Sequence, residues 1–202
     1  MKIKAVIFDL DGTITEPYLD FDKIRVEIGL PPDAGPLLEV MEKMTPAKRK
    51  RAEDILYKHE QLAIEHSALN KGAAETLRWL RSQKIHIGVL TRNTHSNTSA
   101  VAKKHNIEFD AVVDRHDGPV KPDPFGVKML CRHFNVQPQE AIVVGDYLFD
   151  LQSAKSAGVI AVLMKNSEKS EQFSSFADYT VDSLTQIIDI IKRIQNTEHR
   201  IQ

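Results

Sequence analysis

Short, uninterrupted apolar runs recur along the chain, each closing on polar or glycine residues. Residues 4–9 form the first, ending at Asp9; 85–90 the second, ending at Thr91; 111–113 a shorter third. Residues 141–144 run into Gly145-Asp146, and 159–163 form the last. Strands that are apolar at every position, not at alternate ones, belong to sheets covered on both faces. Amphipathic patterns with apolar residues three and four apart lie between them, at 73–80, 95–105, 124–134 and 148–157. Gly158 stands where the fourth of these should stop, and a last helix is predicted from Ser183 to Ile194, with Ser183 as its cap. Alternating buried strands and helices predict an α/β fold with a doubly wound parallel sheet.

One stretch breaks the alternation. From Glu16 to Leu69 there are only helical patterns: Phe21–Ile28, Leu37–Met44, and a long one over residues 47–68 that Thr45-Pro46 opens. The expected organisation is therefore an α/β core of residues 1–15 and 70–202, with an all-helical cap of residues 16–69 inserted after the first strand.

Composition changes this picture little. The 202 residues are 42% hydrophobic and 27% charged, with a formal net charge of −1. No global basic field invites nucleic acid, so an anionic ligand must be drawn by local charges. The N-terminal apolar run is too short for a signal peptide or a membrane span, and the lone cysteine, Cys131, fits a buried helix position. The expectation is a cytoplasmic protein without nucleic-acid or membrane partners, monomeric or homodimeric.

Open α/β sheets bind ligands at the carboxyl ends of their strands. Those ends carry Asp9 and Asp11, then Thr91 with Arg92 and Asn93, then Lys121-Pro122-Asp123-Pro124, then Gly145-Asp146 with Asp150. Crowded carboxylates repel one another, and a divalent oxygen-seeking cation such as Mg²⁺ offsets the repulsion. No paired histidines or clustered cysteines favour zinc. A carboxylate beside such a cation can attack phosphorus, while a lysine and a hydroxyl stabilise the phosphoryl charge. A second acid must protonate the leaving oxygen and later activate water, and Asp11 is the candidate.

These four segments, Asp9-Leu10-Asp11-Gly12-Thr13, Thr91, Lys121-Pro122-Asp123-Pro124 and Gly145-Asp146 with Asp150, resemble in order and spacing the motifs of the haloacid dehalogenase-like hydrolase superfamily. The closest likeness is to its phosphatase branch with a small helical cap, the phosphoglycolate phosphatase and beta-phosphoglucomutase type. The resemblance implies Asp9 as nucleophile and metal ligand, with Asp11 as acid/base and donor of a backbone carbonyl to the metal. It implies Thr91 and Lys121 as holders of the phosphoryl group, Asp146 as a direct Mg²⁺ ligand and Asp150 as support for the metal site. Gly12 would allow the turn that presents backbone amides to phosphate. Arg92 and Asn93 are further candidate phosphate contacts, with Arg92 alternatively pairing with a surface carboxylate. Tyr147 departs from the pattern, since a small hydroxyl residue is more usual after the fourth-motif aspartate.

The implied function is Mg²⁺-dependent hydrolysis of a small phosphorylated metabolite. A phosphomutase, a carbon–halogen hydrolase and a receiver-like phosphate-binding module are the alternatives, and the presence of Asp11 argues against the halogen chemistry. Elsewhere, packing or solvation is the expectation: His59 and His66 against other cap helices, Trp79 in the core, and Lys48-Arg49-Lys50-Arg51 as a solvated face. Arg25 and Tyr18 are places to look for specificity.

Overall fold

A computed structural model describes residues 2–198. Six parallel strands form one sheet: β1 (Ala5–Phe8), β2 (His86–Leu90), β3 (Ala111–Val113), β4 (Ala141–Gly145), β5 (Ile160–Met164) and β6 (Tyr179–Val181), in the order β3-β2-β1-β4-β5-β6. Helices connect them: α4 (Ala73–Ser82), α5 (His95–His105), α6 (Phe125–His133), α7 (Leu148–Ala157), α8 (Glu168–Glu171) and α9 (Gln186–Glu198). The expected doubly wound α/β sheet is what forms. The strand β6, only three residues long and partly exposed, is an addition to the sequence reading. Its exposed polar middle residue, Thr180, keeps it from registering as an apolar run.

Every residue of β1 and β4 is buried. Ala5 and Ile7 join Val143, Leu163, Val127, Leu130 and Leu151 on the face covered by α6 and α7. Alternation sends Val6 and Phe8 to the opposite face, where α4 packs on β2 and α9 on α4. Cys131 is buried on α6, as expected of it. Trp79 is only half-buried, and its ring lies under the ammonium of Lys192, 5.9 Å from the centroid. Ser183 does not cap α9 directly. Its hydroxyl accepts from Thr185 N at 3.4 Å and donates to Lys71 O at 3.3 Å.

The chain divides into two compact units, one running to Pro17 and resuming at Ala68, the other Tyr18–Ser67. The smaller holds α1 (Phe21–Ile28), α2 (Leu37–Glu42) and α3 (Pro46–His66). Its core is Ile24, Leu37, Met41, Ala52 and Leu56. Asp20 caps α1 by accepting from Lys23 N at 3.0 Å, and Gly29 ends it in the left-handed region. Arg25 is spent on the Gly35 carbonyl and Asp22, and His59 meets Glu27 at 2.8 Å. Tyr18 and His66 stack with centroids 5.5 Å apart. The basic run on α3 forms surface pairs one turn apart, Arg49 with Glu53 and Lys50 with Asp54. Among the described residues no helix is long and apolar enough to cross a membrane.

Both edge strands are pinned by the same device. Asp110, just before β3, accepts from Ile87 N of β2 at 2.8 Å while its own N–H bonds Ile87 O. Asp178, just before β6, accepts from Ala161 N of β5 at 2.9 Å and returns its N–H to Ala161 O. Arg81 and Lys155 hold the second oxygens. Burial pulls both carboxyls upward, but these partners outweigh it and hold each below the usual carboxylate range. A carboxylate depressed in the folded state supports the fold above its unfolded value and loses that support as pH falls through the folded one. Asp110→Ala is therefore expected to lower the unfolding free energy by about 1 kcal/mol at pH 7. Urea denaturation across pH should show the gap to wild type closing as pH falls through the lowered folded value of Asp110.

Candidate active site

The strand order reverses at β1, between β2 and β4, and the crevice at that switch point is where doubly wound sheets bind ligands. Phe8 pairs with Val89 on one side and Val144 on the other. Asp9 therefore lies level with Leu90 and Gly145, with Thr91 and Asp146 one rung further along. Asp9 N continues the ladder, donating to Val144 O at 2.9 Å, and Thr91 N donates to Val113 O at 3.0 Å. Three strand ends are thus brought together by sheet register alone.

Lys121, in the loop after β3, is 4% exposed and reaches this edge. Its Nζ donates to Asp9 Oδ1 at 2.5 Å and to Asp150 Oδ1 at 2.6 Å. Asp9 and Asp150 are 8% and 3% exposed, so all three charges are out of bulk water. Burial alone would lower the Lys121 ammonium; Asp150 and Asp9 more than reverse that and hold its proton tightly. Asp9 Oδ2 has no hydrogen bond among the described residues. Asp150 also accepts from Tyr147 N at 3.1 Å through Oδ2, in the first turn of α7. Both its oxygens are thus engaged, one by the first turn of the helix and one by Lys121. Gly145 makes this possible, since a Cβ there would overlap the Asp150 side chain.

Asp11 is half-buried and its Oδ2 accepts from Asn93 Nδ2 at 3.0 Å. The Asn93 amide is itself oriented, because its Oδ1 accepts from Thr94 N at 2.8 Å and Asn97 Nδ2 at 2.7 Å. Its backbone N–H bonds the Thr91 hydroxyl at 2.9 Å. Burial raises the Asp11 carboxyl above the usual range, against the opposing pull of Asn93, Lys121 and Arg115. Arg92 turns to other partners: its Nη1 donates to the Lys121 carbonyl at 2.5 Å and its guanidinium lies 5.2 Å from the Phe149 ring centroid. Tyr147 sets its half-exposed ring edge-to-face against Phe149 and Phe173.

Gly12 adopts φ +91°, in the left-handed region, and a Cβ there would overlap the Asp146 carboxylate. Its carbonyl accepts from Asn70 Nδ2 at 3.1 Å and from Asn166 Nδ2, which also reaches Asp146 Oδ2 at 3.1 Å. The sequence reading missed both asparagines. Asn166 stands two residues beyond β5, so extending the strand-end rule to the fifth strand would have found it. Asn70 carries no such signal, because only tertiary pairing brings the chain back beside Ile14, whose carbonyl accepts from Asn70 N.

Oxygen ligand atoms of Asp9, Asp146 and Asp150 lie within 4.8 Å of one another. Burial and then the Asp150 charge push Asp146 up to about 7, with Asn166 and Lys121 opposing. Burial likewise raises Asp9 well above the usual range; Lys121 opposes, and the neighbouring carboxylates add to the rise. The Lys121 ammonium leaves this group of acids under-neutralised. An all-oxygen, net-negative, closely spaced set fits a hard divalent cation, and its chemistry does not suit a soft one.

The sequence pattern of the haloacid dehalogenase-like hydrolases matches residues 3–158, and the chain belongs to that family of enzymes. A hydrolase of Saccharomyces cerevisiae is 30% identical over 202 residues, covering 95% of this chain and 92% of its own. A phosphoglycolate phosphatase of Chromobacterium violaceum is 26% identical over 216 residues, covering 94% and 97%. The solved beta-phosphoglucomutase of Clostridium difficile shares the fold with a TM-score of 0.76 at 22% identity, over 99% of this chain and 100% of its own.

Removing Lys121 would leave two buried carboxylates facing each other. Lys121→Met is expected to destabilise the protein by about 3–5 kcal/mol at pH 7 in EDTA, measured by urea unfolding. Adding Asp150→Asn to that variant should recover part of the loss.

Proposed function

We propose that the protein is a Mg²⁺-dependent phosphoric monoester hydrolase acting on a small phosphorylated metabolite through an aspartyl phosphate on Asp9. The observation that carries this reading is the division of labour between two carboxylates two residues apart. Asp9 is gripped by Lys121 through one oxygen with the other free, and Asp11 is aimed by an oriented asparagine. Phosphatases among the chain's relatives support the same class of reaction.

Asp9 Oδ2 attacks phosphorus as the bond to the leaving oxygen breaks, and the Asp11 carboxyl passes its proton to that oxygen. Asp11, now a carboxylate, takes a proton from water as the water oxygen attacks the aspartyl phosphate. Cleavage of the Asp9–phosphorus linkage releases inorganic phosphate and restores both groups. Lys121 opposes the cost of ionising buried Asp9 and would offset phosphoryl charge during transfer, and the Thr91 hydroxyl would bind a phosphoryl oxygen. Asp9 and Asp146 would hold Mg²⁺ through their carboxylates and Asp11 through its backbone carbonyl, with Asp150 as support because both its oxygens are committed. The bound ion would supply charge neutralisation at the carboxylates and at the phosphoryl oxygens. Arg92 and Asn93 act by placement: Arg92 braces the Lys121 loop and Asn93 aims Asp11.

With an aryl phosphate as substrate, Asp9→Asn is expected to show no turnover. Asp11→Asn is expected to lower kcat by about 10²–10⁴-fold. EDTA should silence the wild type and Mg²⁺ restore it. Full activity in Asp9→Asn would refute the nucleophile. A panel of phosphorylated metabolites should give inorganic phosphate; isomerised sugar phosphate without phosphate release would indicate a mutase instead.

A further inference from the structure

Asn166 joins three segments that are far apart in the chain. It follows β5, its Nδ2 donates to the Gly12 carbonyl of the β1 turn, and the same Nδ2 donates to Asp146 Oδ2 after β4. Two acceptors at one end of an amide fix which end is nitrogen, since a half-turn would set Oδ1 against two oxygens. Both Nδ2 protons are therefore used, and Oδ1 points away from these partners. That oxygen is shielded from solvent and accepts no hydrogen bond among the described residues.

Asp146, which Asn166 grips, is one of the three clustered carboxylates. Groups that hydrogen-bond and orient the ligands of a metal contribute much of its affinity.

We propose that Asn166 is a positioning residue of the cation site: its Nδ2 clamps the Asp146 carboxylate against the Gly12 turn and so fixes the direction in which Asp146 presents its oxygens. The inference rests on the cation-site reading above and adds to it a residue outside the four motif segments. Asn166 thereby couples the end of β5 to the chemistry at β1 and β4.

The test is Mn²⁺ titration of the wild type and Asn166→Ala, with free ion read from the paramagnetic resonance of the hydrated ion. Asn166→Ala is expected to bind Mn²⁺ about 10–100-fold more weakly, with the circular dichroism spectrum and the urea midpoint in EDTA close to wild type. Unchanged Mn²⁺ affinity in the folded variant would overturn the assignment. Weakened affinity accompanied by an equal loss of stability in EDTA would also overturn it, by marking a purely structural link. If Asn166→Ala does not fold, Asn166→Ser takes its place under the same criteria. A wild type that binds no Mn²⁺ would refute the cation site itself, which separates that failure from failure of the Asn166 role.

Discussion

Carboxylate charge gathered at the carboxyl edge of β1 and β4 is the constraint on which the rest of this molecule's active region depends. Asp9 and Asp150, both buried, and partly buried Asp146 have oxygens within 4.8 Å of one another. Such a set is stable only if positive charge and directed donors surround it. The structure answers with the Lys121 ammonium between Asp9 and Asp150, backbone N–H from Tyr147, and the side-chain amide of Asn166. Each support comes from a different loop, so the cluster holds the strand ends together.

The same arrangement separates the roles of chemically identical side chains. Asp9 and Asp11 differ in sequence context by one leucine, yet one faces an ammonium and the other an amide. That difference gives one carboxyl an ammonium and the other an oriented amide, while burial raises both above the usual carboxylate range. Asparagines act here as adapters. Asn93 has its orientation set by donors on one side, and Asn166 by acceptors on one side, so each presents a known atom to its carboxylate. Glycines serve the approach: only bare Cα atoms at positions 12 and 145 let the Asp146 and Asp150 carboxylates come as close as they do.

Much of this was legible in the chain itself. Continuous apolar runs implied a doubly covered parallel sheet, because a strand buried on both faces has no polar side to show. The strand-end residues Asp9, Thr91 and Asp146 followed from that, since a parallel sheet puts all its carboxyl ends on one edge. Lys121 and Asp150 were readable from their motif, and Cys131 from its amphipathic setting. Trp79 was not, because spacing reports which face a residue occupies and not how much of a large ring that face covers. β6 escaped because exposed Thr180 interrupts its apolar pattern, and Asp110 and Asp178, which pin the edge strands, look like ordinary loop acids until their pairing is seen.

The sequence by itself determined the fold class and the edge of the sheet on which the acids, lysine and hydroxyl gather. These depend on local patterns: apolar periodicity within a strand and the residue types that follow it. Only the tertiary structure decided that Arg92 braces a carbonyl, that Asp150 both caps α7 and pairs with Lys121, and that Asn70 and Asn166 converge on Gly12. Hydrogen bonds between residues 58 and 154 positions apart leave no periodic trace. They are set by sheet register and loop path, which exist only once the chain has folded.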